Sequence, residues 1–141
     1  MNLEELDVVL GGRSILNPRE YNSLALAHIG DAVFEVLVRL TVLTDGNAPV
    51  NKLHKKARDI VNAKAQAEIY YRIQDILTEE EADVFRRGRN AKSFTVPKNA
   101  DLMDYRHATG LEALFGYLYL KGEKERVVEL FKLGMAEKLE K

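Results

Sequence analysis

"NPREYNSLALAHIGDAVFEVLVRLTVL", residues 17–43, decides the fold. Asn17 stands as an N-cap, Pro18 at the first helical position and Glu20 three residues after the cap. Leu24, Leu26, Ile29, Val33, Phe34, Val36, Leu37, Val38 and Leu40 follow on every side of a helical wheel. The pattern predicts one long helix from about Pro18 to Leu43, hydrophobic all round and therefore buried. Within it stands Asp31, next to Gly30. A charge in such surroundings must meet a cation, a set of donors or a water-filled cleft. A mid-helix glycine costs about 1 kcal/mol relative to alanine and makes sense where another backbone or a ligand comes close.

The rest of the chain continues in the same manner. "TDGNAP" (44–49) supplies turn residues. "VNKLHKKARDIVNAKAQAEIYYRIQDIL" (50–77) then carries Leu53, Ala57, Ile60, Val61, Ala65, Ile69, Ile73 and Ile76 as the stripe of a second helix, basic on its outer side. Thr78 and Glu81 have capping-box spacing before a short helix with acids first and arginines last, expected to stop at Gly88. "NAKSFTVPKNA" (90–100) reads as a loop, "DLMDYRHATGLEALFGYLYLKG" (101–122) as a helix ending near Gly122, and the remainder as a final amphipathic helix. No period-2 strand pair, internal repeat or linker interrupts this order, so the expectation is an all-α fold in a single domain, residues 1–141.

Bulk properties narrow the setting. With no cysteine among 141 residues, neither a disulfide framework nor a thiolate metal site is available, which suits a reducing compartment such as the cytoplasm. The N-terminus carries acids where a signal peptide carries bases, and its apolar stretch is too short and interrupted for membrane insertion. The formal net charge of −1 argues against coating nucleic acid by bulk electrostatics, so any nucleic-acid surface must be local.

Two carboxylates stand out. Asp31 shares its helix face with Leu24, Ala27, His28, Phe34, Glu35 and Val38; Glu112 shares its own with Tyr105, Ala108, Thr109, Phe115, Gly116 and Tyr119. If the two long helices cross, these acids converge, and converging carboxylates either share a proton or bind a hard cation such as magnesium. The ordinary alternative for each is an Arg or Lys partner or a helix cap, and for His28 a satisfied hydrogen bond. Glu35, one turn after Asp31, is a conceivable third ligand.

A local positive surface runs from Arg86 through Arg87, Arg89 and Lys92 to Lys98 with no acid among them, and Gly88, Asn90 and Ser93 would let phosphates or 2′-hydroxyls approach. The alternative is that these arginines complement the helix dipole. Lys52, Lys55, Lys56, Arg58 and Lys64 form a second basic zone, which reads more simply as a solvated face.

"LALAHIGDAVFE" (24–35) and "ATGLEALFGYLYL" (108–120), in that order, resemble the two signature segments of the ribonuclease III catalytic domain. The chain's length, and the lack of an appended double-stranded-RNA-binding domain, make the likeness strongest to the Mini-ribonuclease III family. The resemblance takes in almost the whole chain. It implies that Asp31 is a catalytic aspartate and Glu112 a metal-binding glutamate, that both hold Mg2+ (Mn2+ as a substitute), and that the protein is a homodimer. The apolar face of the first helix would form the dimer seam. The implied activity is endonucleolytic hydrolysis of double-stranded RNA to 5′-phosphate and 3′-hydroxyl ends. The implied task is maturation of 23S (large-subunit) rRNA precursor, with a ribosomal protein that shapes the substrate as a further partner. The sequence departs from full-length ribonuclease III enzymes at Ala27 and Thr109, where these carry further acids, and has no matching acid near Val50. Fewer ligands imply weaker, more water-filled coordination.

Two other readings compete. One is a catalytically silent ribonuclease III-like RNA-binding or ribosome-associated scaffold, which the missing accessory acids favour and the retained Asp31 and Glu112 oppose. The other is an all-α metal-dependent phosphohydrolase acting on a nucleotide, for which His54 and His107 lack an adjacent aspartate.

Overall fold

The first long helix is capped at Asn22, not Asn17. Asn17 accepts a hydrogen bond from the Arg19 amide at 3.0 Å but closes only a single 3₁₀ turn, Pro18–Glu20. Asn22 accepts from the Ala25 amide at 2.8 Å and starts α1, Ser23–Leu43. The computed structural model describes residues 10–11, 16–92 and 101–136. Its further helices are α2 (Val50–Ile60), α3 (Ala63–Ile73), α4 (Glu79–Asn90), α5 (Leu102–Leu120) and α6 (Lys124–Gly134), with no strand among the described residues.

The predicted second helix is in fact two. Its apolar stripe runs unbroken through Val61, so periodicity alone could not see the break. Val61 leaves helical geometry (φ −94°, ψ 77°), and Asn62 ends one helix and starts the next. Its side chain donates to the carbonyls of Arg58 and Asp59 at 3.1 and 3.2 Å and accepts from the Ala65 amide at 2.8 Å. A 3₁₀ turn, Gln74–Ile76, finishes the segment and leaves Ile76 exposed.

α4 opens with the capping box that its sequence predicts. Thr78 Oγ1 accepts from the Glu81 amide at 3.1 Å, and the Glu81 carboxylate accepts from the Thr78 amide at 2.9 Å. The same carboxylate, buried, takes a two-pronged contact from Arg126 on α6 at 2.8 Å per bond, and Arg126 also donates to the Ile76 carbonyl. Burial pushes the Glu81 carboxyl up, but Arg126 and the Thr78 donors outweigh it and hold the group below its ordinary range. The helix does not stop at Gly88 but continues to Asn90. Gly88 serves packing instead: a Cβ there would lie 2.8 Å from that of Ala113 and 3.0 Å from the Gly110 Cα.

From His107 to Leu118, α5 is the most deeply buried element, packed against α1, α3 and α4. Leu111, Ala113, Leu114 and Phe115 are fully buried, and Phe34 of α1 packs between the rings of Phe115 and Phe131 at centroid distances of 5.9 and 5.8 Å. The apolar pattern of α1 predicts burial on every side. Its inner residues Phe34 and Val38 are fully buried, yet Val36 and Leu40 are each 56% exposed and Leu43 54%. The all-round apolar pattern thus reflects a helix with one face in the core and a second apolar face outside it.

Candidate functional site

α1 and α5 cross with their backbones touching. A Cβ on Gly30 would sit 1.6 Å from the Glu112 carbonyl oxygen, and one on Gly116 would sit 1.9 Å from that of Leu26. Only hydrogen fits at either position, and this reciprocal pair of glycines lets the two backbones meet directly, with no side chain between them. Asp31 follows Gly30, and Glu112 is the residue that Gly30 meets, so the crossing carries two acids distant in sequence to one place.

The two side chains share a hydrogen bond. Asp31 is exposed, whereas Glu112 is partly buried at the edge of the core. Burial first, then the charge of Asp31 and the bond to it, push the Glu112 carboxyl up to about 8. Near neutrality Glu112 therefore keeps its proton. The expectation that Asp31 is buried is corrected here: among the described residues it meets neither Arg nor Lys but a second acid, at a position open to solvent.

The neighbours fall into place less uniformly. Glu35, partly buried, accepts from Arg39 Nε at 3.1 Å and is engaged along its own helix. His28 is exposed. Ala27 is buried, and Thr109 donates to the Tyr105 carbonyl at 3.0 Å. His107 lies in the core, its Nδ1 2.7 Å from the Met103 carbonyl and its ring 5.3 Å from that of Tyr70, while His54 is exposed on α2, far along the chain from any acid of the pair. Among the described residues no group of three or more His, Cys, Asp or Glu forms a metal cluster. Two carboxylates with oxygen donors alone suit a hard cation that keeps most of its waters, and such a cation would replace the proton that Glu112 keeps.

The arginines predicted to face nucleic acid belong to the helix, not to the loop after it. Arg86 and Arg87 are exposed on α4 and both pair with Asp83, Arg87 Nε at 3.1 Å. The i, i+3 and i, i+4 spacing in the sequence already held that signal. Arg89 is partly buried and donates to the Asn90 side chain at 3.3 Å, and Lys92 is exposed just beyond the helix. Lys98 lies outside the described residues. Lys52, Lys55, Lys56, Arg58 and Lys64 are all exposed.

Comparison with known proteins completes the picture. The family model described as the ribonuclease III domain matches residues 24–123. The chain is 53% identical over 112 residues to Mini-ribonuclease 3 of Thermoanaerobacter sp. (strain X514), covering 79% of each. It is 48% identical over 120 residues to Mini-ribonuclease 3 of Brevibacillus brevis, covering 85% of this chain and 90% of that one. A crystal structure of a protein from Fusobacterium nucleatum superposes with a TM-score of 0.78 at 34% identity, over 86% of this chain and 94% of that one.

Proposed function

The chain belongs to the ribonuclease III family, among the Mini-ribonuclease 3 proteins, and from that premise we propose that it is a Mg2+-dependent endoribonuclease that cuts both strands of an RNA duplex. The observation that carries this reading is the meeting of Asp31 and Glu112 at the glycine crossing of α1 and α5. Asp31, open to solvent, would hold the cation on the substrate side, and Glu112, set deeper, would hold it from the core side as a carboxylate without its proton. When bound, magnesium, or manganese in its stead, supplies the positive charge the pair lacks and Lewis acidity toward a phosphodiester. In the overall reaction water adds its oxygen to phosphorus, the bond to the 3′ oxygen breaks, and the products carry a 5′-phosphate and a 3′-hydroxyl.

Arg86, Arg87, Arg89, Lys92 and Lys98 hold the duplex by its phosphates, reading A-form shape rather than bases. The whole chain, residues 1–141, acts as one catalytic domain, and two copies form a homodimer with one carboxylate pair for each strand. The natural substrate is the precursor of 23S ribosomal RNA in the cytoplasm, presented with the help of a ribosomal protein. Family membership supports this assignment, and the cysteine-free composition suits the compartment.

The test is incubation of a long RNA duplex with the purified protein, in magnesium or in chelator, beside the Asp31→Asn variant. Cutting is expected only with the metal, and the variant should lose about 100-fold or more in rate while still binding duplex. Binding without cutting by the unaltered protein would favour the scaffold reading.

A further inference from the structure

A pocket of about 450 Å³ opens between the Pro18–Glu20 turn, the start of α1 and α4, with Tyr117 of α5 in its wall. Small-molecule sites have this volume, and they combine an apolar lining with a few convergent polar groups. The same division holds here. Leu26, Val84 and Tyr117 are buried residues whose outer edges make an apolar floor. Arg19, Arg86 and Arg87 are exposed and stand at the rim, as do Asn22 and Asn90.

The rim is positive and its side chains are oriented. Asp83 pairs with both Arg86 and Arg87, the latter at 3.1 Å. Arg19 lies 3.3 Å from Glu80, but that carboxylate is already met by Lys121 at 3.0 Å and by the Tyr117 hydroxyl. Three guanidiniums therefore outweigh the one acid of the lining, and each keeps N–H donors beyond those its carboxylate engages. Their planar forks match phosphate oxygens two at a time. Asn22 accepts from the Ala25 amide with its side-chain oxygen, which leaves its NH₂ group to donate.

Charge and shape together select the ligand. Inorganic phosphate would meet the rim and leave the apolar floor in water. An uncharged ring would cover the floor and leave the guanidiniums without an anion. The bases of an RNA duplex are paired and stacked, so a duplex cannot lay one into a concavity. A free nucleotide satisfies both parts at once. Its phosphomonoester carries about −1.5 to −2 charge at pH 7 and meets the rim, while its unstacked base lies on the floor.

We propose that this pocket binds a nucleoside 5′-monophosphate, held at its phosphate by Arg19 together with Arg86 and Arg87. Because the last two also grip the duplex, an occupied pocket withdraws them, and the nucleotide competes with duplex RNA. Occupancy of the pocket is independent of the nuclease reading, and the competition rests on it. Hydrolysis of RNA fragments with 5′-phosphate ends down to single residues releases this ligand, so the class of reaction that consumes the enzyme's product also supplies its competitor.

The experiment titrates AMP, adenosine and inorganic phosphate by calorimetry, in chelator and at matched ionic strength, into the unaltered protein, Arg19→Ala and, as a control on the solvated face of α2, Arg58→Ala. AMP should bind with a Kd of about 100 µM, about tenfold or more tighter than either adenosine or inorganic phosphate. Arg19→Ala, its helicity checked by circular dichroism, should bind AMP about tenfold more weakly, and Arg58→Ala as the unaltered protein does. Saturating AMP should raise the Kd of a fluorescent RNA duplex about threefold or more for the unaltered protein, and by less than about twofold for Arg19→Ala at the same AMP concentration. Inorganic phosphate binding as tightly as AMP would overturn the assignment, since the floor would then contribute nothing. Adenosine binding as tightly would overturn it from the other side, and so would an Arg19→Ala variant that keeps full AMP affinity. A protein that binds AMP as expected but never cuts duplex keeps the pocket and loses the nuclease reading; one that cuts duplex without binding AMP keeps the nuclease reading and loses the pocket.

Discussion

A carboxyl that shares a hydrogen bond with a second carboxyl does so by keeping a proton, and Glu112 shows what that implies for stability. Its pKa in the fold is about 8 against an ordinary 4.5. Between those values the folded chain binds more protons than the unfolded chain, so stability falls as pH rises from about 4.5 to about 8 and levels off above. In chelator, denaturant unfolding of the unaltered protein should therefore show declining stability across that window. Glu112→Gln should flatten the decline and be the more stable of the two at pH 8 by about 1 kcal/mol or more. A variant that keeps the same pH trend would remove Glu112 as its source. The carboxylates were legible because an acid in an apolar run is costly unless something meets it. What met Asp31 was not legible, since no spacing rule links residues so far apart.

At the scale of elements, the site depends on how closely two helices can approach. Gly30→Ala should gain about 1 kcal/mol in helix propensity, yet the new methyl would stand 1.6 Å from a backbone oxygen that no rotamer change can move. The overlap must win: the variant should lose about 1–3 kcal/mol net by chemical denaturation. Equal or greater stability would show that the crossing has room to spare. Sequence periodicity found every long helical stretch, but it merged two helices into one and placed ends where the apolar stripe or a glycine suggested them. At Asn62 the stripe continued while the backbone turned, and at Gly88 the glycine marked a contact with Gly110 and Ala113 instead of a stop. Both errors have one origin, because a residue's local signal can serve a cap or a close contact, and only the neighbouring helix decides which.

The whole molecule leaves one face of α1 unaccounted for within a single chain. Ala32, Val36, Leu40 and Leu43 follow one another at helical spacing, and the last three are more than half exposed. Beside them Ile29, Val33, Tyr119, Val127 and Val128 line an apolar groove of about 370 Å³ between α1, the end of α5 and α6. The sequence was right that α1 is apolar on every side; a single copy of the fold covers only one of them. In the dimer proposed above, a two-fold axis beside α1 would set this stripe against its own copy, an isologous contact in which each side buries the same residues. Paired Val36→Glu and Leu40→Glu substitutions would then place four acids on that seam and should convert a dimer to a monomer in sedimentation measurements, with helical circular dichroism unchanged because neither side chain belongs to the core. A monomer with intact carboxylate pairs should also lose paired cuts in the two strands before it loses single-strand nicking. An unaltered protein that sediments as a monomer at micromolar concentration would leave that stripe to a different partner and detach the carboxylate pairs from one another.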